Sequence, residues 1–177
     1  GTQSQKLGEK YHLTHISTGD ILRAEIENQT KLGEHAAKFM RKGELVPDDV
    51  VMDILHELFI HKPDKVGYIF DGFPRTLEQG KALDEMLHSV NESINVVLSL
   101  DVRESELTER LIMRGQMSGR NDDTEDTIKA RLQVYHRQTT PLKEYYAKQN
   151  KLTNINGMGT IDEIFTRIEK VVDRLDY

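Results

Sequence analysis

At 177 residues and a net charge of −6, the chain fits one domain with room for small lobes. At 37% hydrophobic and 31% charged it is too apolar for a disordered chain and too polar for a membrane protein. It has no run near the ~18 apolar residues of a spanning helix, no opening signal-peptide pattern and no cysteine for disulfides or thiolate metal sites. Its acidity argues against general nucleic-acid binding, so a cytoplasmic globular protein is expected.

Residues 1–10 read as a helix with Leu7 as its main apolar residue, followed by a short strand over 12–16 and a turn, Ser17-Thr18-Gly19-Asp20. Two modest helices over 21–28 and 32–42 separate near Thr30. Pro47 and Asp48 open a third, with Val50, Val51, Ile54, Leu55, Leu58 and Phe59 at helical spacing. A brief apolar run over 68–70 ends at Asp71-Gly72, and 76–88 is the next helix. Residues 94–100 (INVVLSL) form the strongest strand pattern, and their continuous apolarity predicts a central parallel strand covered on both faces. A helix over 104–114 precedes a polar loop over 115–123. The helical pattern of 125–148 should break or kink at Pro141. A last strand over 152–155 leads to a closing helix whose face is traced by Ile161, Ile164, Phe165, Ile168, Val171, Val172 and Leu175. This alternation predicts βαβ units and a parallel sheet, with four strands in this chain.

Ligands of a doubly wound sheet bind beyond the carboxyl ends of its strands. The segments there are Ser17–Asp20, Asp71-Gly72-Phe73-Pro74-Arg75, Asp101, and Asn156-Gly157-Met158-Gly159. Each alone is ordinary turn chemistry. Their repetition at successive strand ends is harder to explain that way. Arg110 and Arg114 share a helix face, Arg120 follows in the loop, Arg131 sits on the next helix, and Arg23 and Arg75 follow the first two strand ends. An acidic protein that gathers arginines there is equipped for a polyanion, because guanidinium pairs bidentately with phosphate. Arg41, Arg103, Arg137, Arg167 and Arg174 carry no motif and read as solvated, while His12, His15, His56, His61 and His136 read as packing or surface residues.

The segments GTQSQKLGEKYHLTHISTGDILR, KGELVPDDVV, DGFPRTLEQG, ERLIMRGQMSGRNDD and KARLQVYHRQTTPL resemble the adenylate kinases, over essentially the whole chain. The resemblance implies a P-loop-type α/β domain over 1–177 with five strands in the family, a small helical nucleotide lobe over 17–46 and a short lid over 113–123. It implies reversible Mg²⁺-dependent transfer of phosphoryl from ATP to AMP, adenine nucleotide homeostasis, a monomer, and no zinc, nucleic acid or membrane partner. The family's phosphate loop, G-x-x-x-x-G-K followed by G-T, meets this chain only at Gly1-Thr2. We therefore expect the natural protein to carry roughly a dozen further N-terminal residues, a strand plus the loop. The residues from Gly1 onward alone are expected to be inactive.

By the same resemblance, Thr18 contacts the AMP adenine region and Arg23 its phosphate. Glu44, Leu45 and Val46 supply backbone and wall contacts. Gly72, Phe73 and Pro74 approach the nucleotide, Arg75 holds the phosphate, and Gln79 reads the adenine edge. Thr18 or Ser17 also suits a helix N-cap. Gly1, Thr2, Arg110, Arg114 and Gly159 face ATP, and Asp71 holds Mg²⁺ through water. Arg75, Arg114, Arg120 and Arg131 are the expected catalytic arginines, with Arg120 and Arg131 closing over both substrates and pairing with Asp122 and Asp123 when the lid is shut. Asp101 reads as a structural carboxylate. Related uridylate–cytidylate kinases carry Ala where Thr18 stands, which favours AMP over UMP or CMP. A non-catalytic nucleotide-binding protein is the alternative from another class.

Overall fold

The computed structural model describes residues 1–61, 66–120 and 122–175, without the side chains of 59–61. The expected place of Phe59 in the third helix pattern and the packing or surface role of His61 thus lie outside the described side chains, and Asn121 lies outside the described residues.

Helix α1 (Thr2–Tyr11) leads to β1 (Thr14–Ser17), α2 (Thr18–Glu27), α3 (Lys31–Met40), α4 (Asp48–His61), β2 (Tyr68–Asp71) and α5 (Leu77–Ser89). Then come β3 (Val97–Asp101), α6 (Glu104–Ser118), α7 (Glu125–Val134), a π-helical turn (Tyr135–Thr139), α8 (Thr140–Lys148), β4 (Leu152–Asn156) and α9 (Ile161–Val172). The α/β alternation and the four parallel strands are those expected. The ladders form two pairs, β1 with β2 and β3 with β4. Ser17 stands opposite Asp71 and Asp101 opposite Asn156, so within each pair the carboxyl ends are level.

Three local differences have clear causes. Ser17-Thr18-Gly19-Asp20 is a helix start and not a turn: the Ser17 hydroxyl accepts from the Asp20 N–H (3.3 Å), and α2 begins at Thr18. Ser17 is therefore the cap and Thr18 is not. Strand β3 is shorter and wetter than its apolar run implies, starting at Val97 with Leu100 40% exposed. Among the described residues it pairs with β4 alone. Helix α6 runs one turn past Arg114, to Ser118, so the polar loop begins at Gly119, which caps the helix with φ 66. Pro141 does interrupt the long helical pattern, since the π-helical turn just before it divides α7 from α8.

Two apolar clusters hold these layers. Ile16, Leu22, Ala36, Val46, Val51, Leu55, Phe73, Leu83 and Leu87 pack between β1 and helices α2–α5. Leu7, Ile155, Ile164, Ile168 and Val172 join α1, β4 and α9. Both Ile69 of β2 and Leu98 of β3 rest on the second cluster, so one helical layer underlies both strand pairs. Ile161 heads the apolar stripe of α9 yet is 53% exposed. The pairs Lys6–Asp162 and Lys10–Glu169 (each 2.6 Å) and the Tyr11 hydroxyl on Asp173 (2.5 Å) link α1 to α9 at the surface. Such surface ion pairs add little to stability, because solvent screens them. Burying one Leu or Ile side chain of the cluster beneath contributes about 1.5–3 kcal/mol, so apolar packing holds α1 to α9 more firmly than charge does.

Helices α2 and α3 meet most closely at buried Gly33, where a Cβ would overlap the backbone of Glu25. Gly33→Ala is expected to force the two helices apart, costing about 1–3 kcal/mol and lowering Tm by roughly 2–12 °C. A calorimetric scan of the variant that melts with wild type would contradict that packing.

Candidate active site

The strand ends border a cleft that continues inward between the two strand pairs. Its lining includes Gly1, Thr2, Thr18, Arg23, Glu44, Leu45, Val46, Asp71, Gly72, Phe73, Pro74, Arg75, Gln79, Arg110, Arg114, Arg131 and Gly159. Of the expected site residues, Arg120 alone is absent from that lining, although it joins the same charge network.

The segment after β2 is held from several sides. Gly72 has φ 71, and a Cβ there would lie 2.8 Å from the Arg75 guanidinium, so this close approach requires glycine. The carbonyl of Gly72 accepts from the Thr18 hydroxyl (3.2 Å) and from Arg75 Nε (2.7 Å). Arg75 N–H donates to Gln79 Oε1 (2.8 Å), and the Arg75 carbonyl accepts from Thr139 Oγ1 (2.8 Å). The Phe73–Pro74 peptide is cis. Val46 packs into the core as it borders the cleft, whereas Glu44 is exposed.

The arginines converge from five segments, bridged by three aspartates. Arg114 grips Asp123 bidentately (2.6 and 2.7 Å), and Arg131 donates to the same carboxylate at 2.8 Å. Asp122 lies 3.6 Å from Arg23 and 3.7 Å from Arg131. Arg120 donates to Asp20 (3.1 Å), which also pairs with Arg23. The expectation that Asp122 and Asp123 pair with Arg131 matches this geometry. Arg120 differs, taking its acid from the first turn of α2. Among the described residues no carboxylate lies within ion-pair distance of the Arg75 guanidinium, which is part-buried.

The titration behaviour follows. Burial, then the charges of Arg131 and Arg23, push Arg75 down to about 10, so it stays cationic at neutral pH. Burial, then Arg23 and Arg114, likewise lower Arg120. The hydrogen bonds of Asp123 raise Arg114. Burial by itself would raise Asp123, but its hydrogen bonds to Arg114 and the charges of Arg114, Arg131 and Arg120 outweigh that and hold it below the usual carboxylate range. Asp20 is held low in the same manner, with Arg23 and Ser17 overcoming its burial. Cations exceed acids in this cluster, and the least compensated cation stands deepest. Such a cluster is suited to an anion.

Three other residues, Arg110, Arg167 and His15, make contacts beyond those expected of them. Arg110, expected towards ATP, spends its guanidinium on Glu106 (2.9 Å) and on the carbonyls of Gly157 (2.9 Å) and Gly159 (3.4 Å). Arg167 is no free surface arginine: it donates to the carbonyls of Asn156 (2.7 Å) and Met158 (2.6 Å), bracing the loop between β4 and α9. The backbone carbonyl of Asp101 accepts from Gly157 N–H (2.9 Å), and its exposed carboxylate lies 3.5 Å from Lys143. His15 departs from a plain packing role, with Nε2 3.1 Å from Asp71 Oδ2. Burial lowers its pKa.

Asp48 and Thr139 join the site without being expected there, whereas Asp20 lies in the expected strand-end segment Ser17–Asp20. Only Asp20, inside the STGD motif, carries a sequence signal. Asp48 and Thr139 meet the site by tertiary contacts between separate helices.

The family model described as adenylate kinase matches residues 1–151. An adenylate kinase of Bacteroides fragilis is 54% identical over 175 residues, covering 99% of this chain and 93% of the relative. That of Bacteroides thetaiotaomicron is 51% identical over the same spans, and that of Porphyromonas gingivalis 47% identical over 98% of this chain and 90% of its own length. Relatives this similar over nearly the full chain, together with a cationic cleft at the strand ends, establish that the chain belongs to the adenylate kinase family of phosphotransferases.

Proposed function

We propose that this protein transfers the γ-phosphoryl group of ATP to AMP, reversibly, giving two ADP. The observation that carries the reading is the convergence of Arg23, Arg75, Arg114, Arg120 and Arg131 at the strand ends, with Arg75 lacking an acid partner among the described residues. In this assignment Thr18, Arg23, Arg75 and Gln79 hold AMP, with Glu44, Leu45, Val46, Gly72, Phe73 and Pro74 as its walls. Gly1, Thr2, Arg110, Arg114 and Gly159 face ATP. Residues 17–46 act as the acceptor lobe and 113–123 as the lid, and the protein works as a cytoplasmic monomer by family likeness.

An oxygen of the AMP phosphate attacks the γ-phosphorus while the bond to the β–γ bridging oxygen breaks in line. The attacking oxygen is already ionised, so no general base is required. Catalysis rests on positioning and on neutralising charge that spreads over the equatorial oxygens. Fixed guanidinium groups supply both, because they need no reorganisation as that charge develops. Closure of the lid excludes water, which would otherwise accept the phosphoryl group.

Asp71 fits a Mg²⁺ ion held through water. It is one part-buried carboxylate at the end of β2, lining the cleft, and Mg²⁺ takes few protein ligands when phosphates complete its shell. When bound with ATP, the ion neutralises and orients the phosphates.

The test is ADP formation by the full-length protein from ATP, AMP and Mg²⁺, with UMP and CMP as rival acceptors. Two ADP per AMP are expected. Preference for a pyrimidine acceptor, or ATP binding with no ADP formed, would overturn the assignment.

A further inference from the structure

Gln79 is almost fully buried, and both ends of its amide are committed. Its Nε2 donates to Asp48 Oδ1 at 2.7 Å, and its Oε1 accepts from Arg75 N–H at 2.8 Å. The other oxygen of Asp48 accepts from Thr76 Oγ1 (2.9 Å), which in turn accepts the N–H of Gln79 (3.1 Å) and caps α5. Asp48 stands at the start of α4, so this ring joins two helices that also pack together.

An amide oxygen and nitrogen look alike in shape and can usually exchange places by a half-turn. Here they cannot. A backbone N–H only donates and a carboxylate only accepts. Turning the Gln79 amide over would set donor against donor at Arg75 and acceptor against acceptor at Asp48. What remains for a ligand in the cleft is one amide N–H and one Oε1 lone pair, in a set order. Adenine offers a matching pair, the N6 amino donor beside a ring-nitrogen acceptor. Guanine puts an O6 acceptor where adenine has that donor, so it meets the fixed amide with the wrong polarity. A freely turning amide would accept either base.

We propose that Asp48 is a specificity-determining residue: it locks the orientation of the Gln79 amide and thereby makes the acceptor site select adenine over guanine. The proposal rests on the reading that Gln79 faces the acceptor base. Asp48 itself is a positioning residue and touches no reacting atom.

The experiment compares kcat/KM for AMP and GMP in full-length wild type, Asp48→Asn and Gln79→Glu, with ATP and Mg²⁺ throughout. Asp48→Asn keeps the shape but removes the acceptor-only half of the lock, leaving the Arg75 N–H as the single group that opposes a half-turn. It is expected to reduce the AMP-over-GMP ratio by about tenfold to a hundredfold, the size of one lost bidentate discrimination. KM for AMP should rise while KM for ATP stays within about twofold, a split that general loosening would not produce. A ratio unchanged in Asp48→Asn but collapsed in Gln79→Glu overturns the role of Asp48 and leaves Gln79 as the base reader. A ratio unchanged in both removes the Gln79 reading and the proposal with it. Equal losses for AMP, GMP and ATP would make Asp48 structural only, which also overturns it.

Discussion

Arg75→Ala in the full-length protein is expected to lower kcat by about tenfold to a thousandfold, the range for losing a fixed cation or hydrogen-bond donor at a developing negative charge. The residue sits at the end of β2, the Gly72 turn brings its guanidinium back against its own loop, and among the described residues no carboxylate pairs with it. Its folded-state contacts are thus few. Removing it also relieves repulsion with Arg131, Arg23 and Arg114, the charges that help depress its own pKa. Stability should change little while turnover collapses. Arg75→Lys keeps the charge but not the fork, so it should recover only part of the rate. Steady-state assays with a melting curve separate the two effects. Near-native kcat in Arg75→Ala would contradict the assignment, and so would a fall in kcat matched by unfolding.

Asp123→Ala should do the opposite, striking stability as well as activity. This side chain is completely buried and serves Arg114 and Arg131 together. Breaking a buried pair from one side costs about 3–5 kcal/mol. Both guanidinium groups keep some contact with water, so a loss nearer ~2–3 kcal/mol is expected here. Because Asp123 has a depressed folded-state pKa, its ionic contribution is fully present above the unfolded carboxylate value near ~3.9 and is lost as pH falls through the folded value. The stability gap between wild type and Asp123→Asn should therefore be constant from about pH 5 to 7 and narrow below about pH 4. Urea unfolding at each pH checks this. A gap that widens on acidification would show that the carboxylate is not held by the arginines.

These two residues differ in how far they are legible in the sequence. Arg75 lies in DGFPR immediately after a strand, where ligand chemistry is expected and where local pattern is informative. The pairing of Asp123 with Arg131 is also within reach, since both flank one short loop. The bridge from Arg120 to Asp20 is not, because the partners are a hundred residues apart and no periodicity links them. Ser17–Asp20 reads as a turn because Ser, Thr, Gly and Asp suit turns and helix caps through the same local hydrogen bonds. The INVVLSL run shows the limit of hydropathy. β-branched residues favour extended backbone throughout, but the strand extends only over the five residues that pair with β4. The grouping of four strands into two pairs depends on neighbours and not on local pattern. Asp48 is invisible for a similar reason: at a helix start an aspartate satisfies the dipole whether or not it also orients a glutamine.

A crystal structure of the full-length protein with AMP and a non-hydrolysable ATP analogue would show directly whether the gathered arginines serve phosphoryl transfer. We expect guanidinium groups of Arg75, Arg114, Arg120 and Arg131 within hydrogen-bond distance of phosphate oxygens, with the two nucleotides meeting phosphate to phosphate in the cleft at the strand ends. Nucleotides bound with their phosphates away from these arginines, or at separate places that leave no path for in-line transfer, would contradict it.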